Sequence, residues 1–100
     1  MRDHAREALA LLHNRSRADL GADRMLNLAL VRLLEIVGEA AARVEPNERT
    51  GFPGIPWQQV VGLRNRLIHG YDTVDLDLLW SIAIEDLPAL VAELDRALGG

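Results

Sequence analysis

The chain contains no cysteine and no lysine. The first absence removes disulfides and thiolate metal sites. The second leaves every basic side chain but histidine an arginine, whose planar fork grips phosphate in a fixed geometry. Aromatic residues are few: two Trp, one Tyr and one Phe. That is sparse for a sheet, which draws on aromatic and β-branched side chains. With 49% apolar residues in 100 positions, the balance predicts one all-α domain over residues 1–100, with a single core and little margin. Long apolar runs are missing too. No stretch reaches bilayer-crossing length. The N-terminal "MRDHAREALALLHNR" carries charges through its apolar part, unlike a secretory signal. The expected setting is the cytoplasm, with no membrane partner.

A formal charge of −4 argues against a general nucleic-acid-coating protein, which would be basic. The charge is unevenly spread. Up to Gly70, ten arginines stand against eight acids, a balance of +2; from Tyr71 onward Arg96 stands against seven acids, a balance of −6. The acidic final third would repel nucleic acid or attract a basic protein surface, although a solvated face is the simpler account.

Four helices are expected. The first runs from Arg2 to His13, with Ala5, Leu9 and Leu12 on one face. "NRSRAD" interrupts it, and Ser16 and Asp19 are both suited to cap the second helix. That long helix runs from Asp19 or Ala22 to Val44. Its polar residues Arg24, Asn27, Arg32, Glu35, Glu39 and Arg43 fall within an arc of roughly 160°. So wide an apolar remainder predicts a central helix that also contributes to a subunit interface. "EPNERTGFPGIP" is the one long loop. Pro56 is placed to open the third helix, which carries Trp57, Val60, Val61, Leu67 and Ile68 and stops near His69 because Gly70 is a natural cap. The last helix spans Val74 or Asp75 to Leu98, with Leu78, Leu79, Ile82, Leu87, Leu90, Val91 and Leu94 facing inward. Pro88 bends it, or splits it at Asp86. Short connections make this an up-and-down four-helix bundle.

Polar residues crowd one stretch, "RNRLIHGYD" at 64–72. On a helix, Asn65 and His69 share a face and Arg64 lies about 100° away. Arg64 and His69 can still converge, because arginine is long and the chain leaves helical geometry at Gly70. In a last helical turn the negative dipole end favours imidazolium at His69, which suits a group that takes and returns a proton. An arginine beside it would hold a phosphate and stabilise developing charge. Those are the minimum parts for cutting RNA without a metal. The same residues also fit an ordinary helix end, with Arg64 and Arg66 solvated or salt-bridged, His69 capping and Tyr71 packed over the loop. One histidine is thin for an enzyme; a homodimer would bring two copies to one cleft.

Arg64, four residues, His69, one residue, Tyr71: this pattern resembles the motif of the HepT-like branch of the HEPN ribonuclease superfamily. "RLLEIVGEAA" (32–41), "IPWQQVVGLRNRLIHGYDTVDLDLLW" (55–80) and "EDLPAL" (85–90) resemble the family in order and spacing. The first helix is shorter than the family implies. The resemblance implies an all-α HEPN-like bundle that homodimerises around a composite cleft. It implies a metal-independent endoribonuclease toxin, without cofactor, that acts on RNA, with Arg64 binding phosphate and His69 as catalytic acid and base. Asn65 fits a preference for a polar residue after the arginine. The implied partner is an MntA-like nucleotidyltransferase antitoxin of a type VII-like system, which would transfer AMP to Tyr71. The alternative is a non-catalytic helical module that binds such a nucleotidyltransferase.

Two further expectations concern supporting residues. Glu35 and Glu39 repel mildly at i, i+4 unless arginines relieve them. Arg32 and Arg43 could do so locally, or one of the two glutamates, with Glu39 the one to test, could reach the third helix and orient Arg64 or Arg66. His4 and His13 are read as surface residues, since no metal-ligand spacing accompanies them. Trp57 and Trp80 are read as core or interface anchors rather than base-stacking platforms.

Overall fold

A computed structural model describes residues 1–69 and 73–99; of Arg64, Ile68, His69, Thr73 and Val74 it describes the backbone alone. Helix α1 (Arg2–Leu11) buries Ala5 and Ala8 completely. Small side chains there let it lie close to the central helix α3 (Arg24–Ala42). Asn14, at φ 61°, then turns the chain in the left-handed region, which asparagine tolerates better than most residues.

Helix α2 (Arg17–Ala22) begins at Ser16, whose N–H donates to Asp19 Oδ2 at 2.7 Å. The single long helix expected from Asp19 or Ala22 is instead two. Asp23 sits between them in an extended conformation, and its Oδ1 accepts from the Leu26 N–H at 3.0 Å. That cap starts α3 afresh. Leu30, Leu34, Val37 and Ala41 of α3 are fully buried, and helices pack around it as its wide apolar arc predicts.

The proline-rich loop holds one turn of helix, α4 (Pro46–Arg49). Arg49 folds back to the end of α3, with Nε 3.0 Å from the Val44 carbonyl oxygen and Nη2 3.3 Å from that of Ala41. The next helix is also divided, into α5 (Trp57–Val61) and α6 (Leu63–Leu67), with Gly62 between them. Pro56 precedes the first helical residue instead of being it. Gly38 of α3 meets α5 at close range; a Cβ there would lie 3.0 Å from the Val60 carbonyl oxygen.

Beyond α6 the chain leaves helical geometry. Strand β1 (Ile68–His69) pairs antiparallel with β2 (Thr73–Val74), Ile68 opposite Val74 and His69 opposite Thr73. The fold is otherwise mostly helical, in keeping with the all-α expectation. Asp75 caps α7 (Leu76–Ser81) through the Leu78 N–H.

A π-helical turn, Ile82–Asp86, then leads into α8 (Leu87–Ala97), with Pro88 in the first turn of α8. The break expected at Asp86 thus takes the form of a widened turn, with the Leu87 N–H donating to the Ile82 carbonyl. Its physical role is phase. At 100° per residue, the path from Leu79 to Leu94 would drift roughly 60° off one face. A π turn advances less per residue and takes up that drift. Leu79, Ile82, Leu87, Leu90 and Leu94 all remain buried, while Leu78 and Val91 are half-buried. Arg2 and Arg6 both reach Asp95, tying α1 to α8. Among the described residues no helix is long and apolar enough to cross a membrane.

Candidate active site

The motif segment is positioned by the two leucines that bound α6. Leu63 and Leu67, four residues apart, are both buried, which fixes the inward face of this short helix. Arg64, Asn65 and Arg66 lie between them in sequence. Asn65 is exposed and Arg66 half-buried. The Leu67 carbonyl accepts from the Asp75 N–H at 3.1 Å, so the hairpin that contains His69 is fastened at its base to a core residue.

This geometry corrects one expectation. His69 does not occupy a last helical turn; α6 ends at Leu67, and His69 is in extended backbone paired with Thr73. The strand pairing takes the place of the helical turn that a cap at Gly70 would have closed. Asn65 and His69 therefore do not stack along one helix. A helix of five residues, ending two positions earlier, also offers His69 little dipole. Gly70 and Tyr71 lie outside the described residues, as do the side chains of Arg64 and His69.

The supporting residues sit on two helices, α6 and α3. Arg66 Nη2 lies 3.4 Å from Asp86 Oδ2 on the π turn. Glu39 Oε1 lies 3.5 Å from Arg32 Nη1, which is also 3.5 Å from Glu35 Oε2. Arg32 thus lies within reach of both glutamates on α3. Glu39 is not brought to Arg66. Trp57 and Trp80 pack, half-buried, against the core, and the Trp57 indole N–H donates to the Phe52 carbonyl at 3.1 Å. His13 is exposed and His4 half-buried. Among the described residues no group of three or more His, Asp or Glu is arranged to hold a metal.

Asp86 gives no sign of a site role in the sequence. Asp86 and Arg66 share the lining of a cavity of about 20 Å³ with Leu63, Ile82 and Gln59, enough for about one water. A larger groove of about 480 Å³ runs on from it past Gly54, Ala89 and Glu93. Glu85, Asp86 and Glu93 line that groove, so its field opposes a phosphodiester backbone.

Comparison with known proteins decides the family. The family model described as ribonuclease HepT-like matches residues 1–97. The chain belongs to the HepT-like ribonuclease family. That membership carries the enzyme class, an endoribonuclease. Its relatives include a candidate RNase, MJ1380, of Methanocaldococcus jannaschii, 44% identical over 73 residues, covering 73% of this chain and 67% of the relative. A probable ribonuclease HepT of Thermococcus cleftensis is 33% identical over 94 residues, covering 90% of this chain and 86% of the relative. A candidate RNase, TTE0752, of Caldanaerobacter subterraneus subsp. tengcongensis is 32% identical over 80 residues, covering 80% and 71%. No solved structure matches the chain significantly. Within the HepT-like family match lie Arg64, His69 and Tyr71, the three motif positions.

Proposed function

We propose that this family member is the RNA-cutting toxin of a type VII-like HepT/MntA toxin–antitoxin pair, acting in the cytoplasm as a homodimer and without a metal. Arg64 holds the scissile phosphate. The ribose 2′-oxygen attacks phosphorus as His69 takes its proton; the P–O5′ bond breaks, and the departing oxygen takes a proton from an imidazolium. The products are a 2′,3′-cyclic phosphate and a 5′-hydroxyl. Two protomers facing one cleft supply the second histidine. Asn65 and Arg66 support the site from α6, and Glu39 supports it from α3.

The observation that carries this reading is the motif itself, Arg64-x4-His69-x-Tyr71, within a family match that spans residues 1–97. Pairing of protomers is supported by α3, where Met25 is 78% and Leu28 50% exposed. These adjoining apolar side chains are costly to leave in water. Neutralisation rests on Tyr71, whose phenolic oxygen would attack the α-phosphorus of ATP on the nucleotidyltransferase and release pyrophosphate. The adduct adds a bulky negative charge two residues from His69, where it repels RNA.

The test uses purified protein and RNA in the presence of a chelator. Cleavage to cyclic-phosphate ends is expected, abolished by His69→Ala with the oligomer intact. Incubation with the nucleotidyltransferase and ATP adds the mass of one AMP at Tyr71 and stops cleavage. Should unmodified protein cut no RNA at any pH, the non-catalytic partner-binding module becomes the better reading.

A further inference from the structure

The π turn does more than keep the last helices in phase. It ends at Asp86, and Asp86 Oδ2 stands 3.4 Å from Arg66 Nη2. Arg66 is two residues from Arg64 and three from His69. Helix α6, which carries Arg66, is only five residues long and is separated from α5 at Gly62. A helix so short has little stiffness of its own. Leu63 and Leu67 set its inward face over only five residues. The Arg66–Asp86 pair adds a sideways tie to another element and refines the rotation of α6 about its axis.

We propose that Asp86 is a positioning residue for the ribonuclease reaction: by holding Arg66 it sets the rotation of α6, and so the aim of the motif arginine and histidine. The inference rests on the ribonuclease reading of Arg64 and His69. Two observations favour it over an incidental surface pair. Asp86 belongs to a π turn, a rare geometry frequent at functional sites. Asp86 and Arg66 also share the walls of one small cavity with Leu63 and Ile82, so the ion pair closes a packed seam between α6 and the π turn. Both partners are part-exposed, with 35% and 48% of their side-chain surface open. Such pairs contribute little to stability. Catalysis is far more sensitive, since misplacement by about 1 Å can cost on the order of a hundredfold.

The experiment measures steady-state RNA cleavage and thermal melting for Asp86→Asn, Asp86→Glu, Arg66→Ala and the double variant Arg66→Ala/Asp86→Ala, with His69→Ala as control. Asp86→Asn is expected to lower kcat roughly tenfold with KM within about twofold and melting nearly unchanged. Asp86→Glu restores much of kcat. The double variant is no worse than Arg66→Ala alone, because the two residues act as one unit. Wild-type kcat in Asp86→Asn overturns the proposal. So does a lowered KM with a steeper salt dependence, which would mean that Asp86 merely masks a phosphate-binding arginine. A fall in kcat that only tracks lost folded protein, with Asp86→Glu no better, overturns it as well. If His69→Ala cuts RNA like the wild type, the ribonuclease reading itself fails, whatever Asp86 does.

Discussion

The guanidinium of Arg49 lies over the Trp57 ring, 5.7 Å from its centroid, while its nitrogens bond the carbonyls of Ala41, Ala42 and Val44. One side chain thereby caps the C-terminus of the central helix and pins the proline-rich loop to the start of α5. The helix end presents carbonyls without intrahelical partners, and a cation is the favoured group there. Arg49→Ala is therefore expected to cost about 2 kcal/mol, combining charged hydrogen bonds with a cation–π contact. Arg49→Lys should recover less than half, because ammonium lacks the planar fork. Urea denaturation of the three proteins checks both figures.

At Gly38, α3 and α5 approach closely, and there the room is set by backbone. A Cβ would lie 3.0 Å from the Val60 carbonyl oxygen and 3.6 Å from that of Val61. Alanine gains roughly 1 kcal/mol of helix propensity over glycine, yet overpacking against backbone costs on the order of 1–3 kcal/mol. Gly38→Ala is expected to be mildly destabilising and Gly38→Val severely so, with cleavage falling as α6 is carried away along with α5. A more stable Gly38→Ala protein would show that α5 retreats freely.

Met25 and Leu28 test the pairing of protomers. Both stand exposed on α3, three residues apart and hence on one face. Replacing both with glutamate removes apolar area and adds like charges across any two-fold contact. The expected result is a wild-type protein that sediments as a dimer, and a folded variant that sediments as a monomer and has lost RNA cleavage. A variant that stays dimeric places the contact elsewhere.

Helix ends are legible in the sequence where a side chain makes the end. Ser16 before α2 with Asp19 in its first turn, Asp75 before α7 and the break ahead of Pro88 are all readable, because capping and proline chemistry are local. The divisions at Asp23 and Gly62 are not. Leu20, Leu26 and Leu30 continue the apolar rhythm straight across Asp23, so periodicity conceals a cap that shows only once the backbone is extended. Strand pairing of His69 with Thr73 is hidden for a different reason, since it depends on a partner strand and leaves no mark in four residues. At the site, the motif positions are readable as a spaced pattern. The partner of Arg66 is not, because Asp86 is twenty residues away and reaches α6 through a turn geometry that no spacing announces.

Leu67 has no exposed surface, and its carbonyl is the anchor point for the Asp75 amide. The amide hydrogen of Asp75 should then exchange with solvent about as slowly as those of the innermost helices, although it borders a pairing of only four residues. The strand pair that carries the histidine is thus tied at its base to a fully buried residue. Warming should blunt this enzyme only when the whole fold gives way, with no earlier stage in which cutting fades while the helices persist.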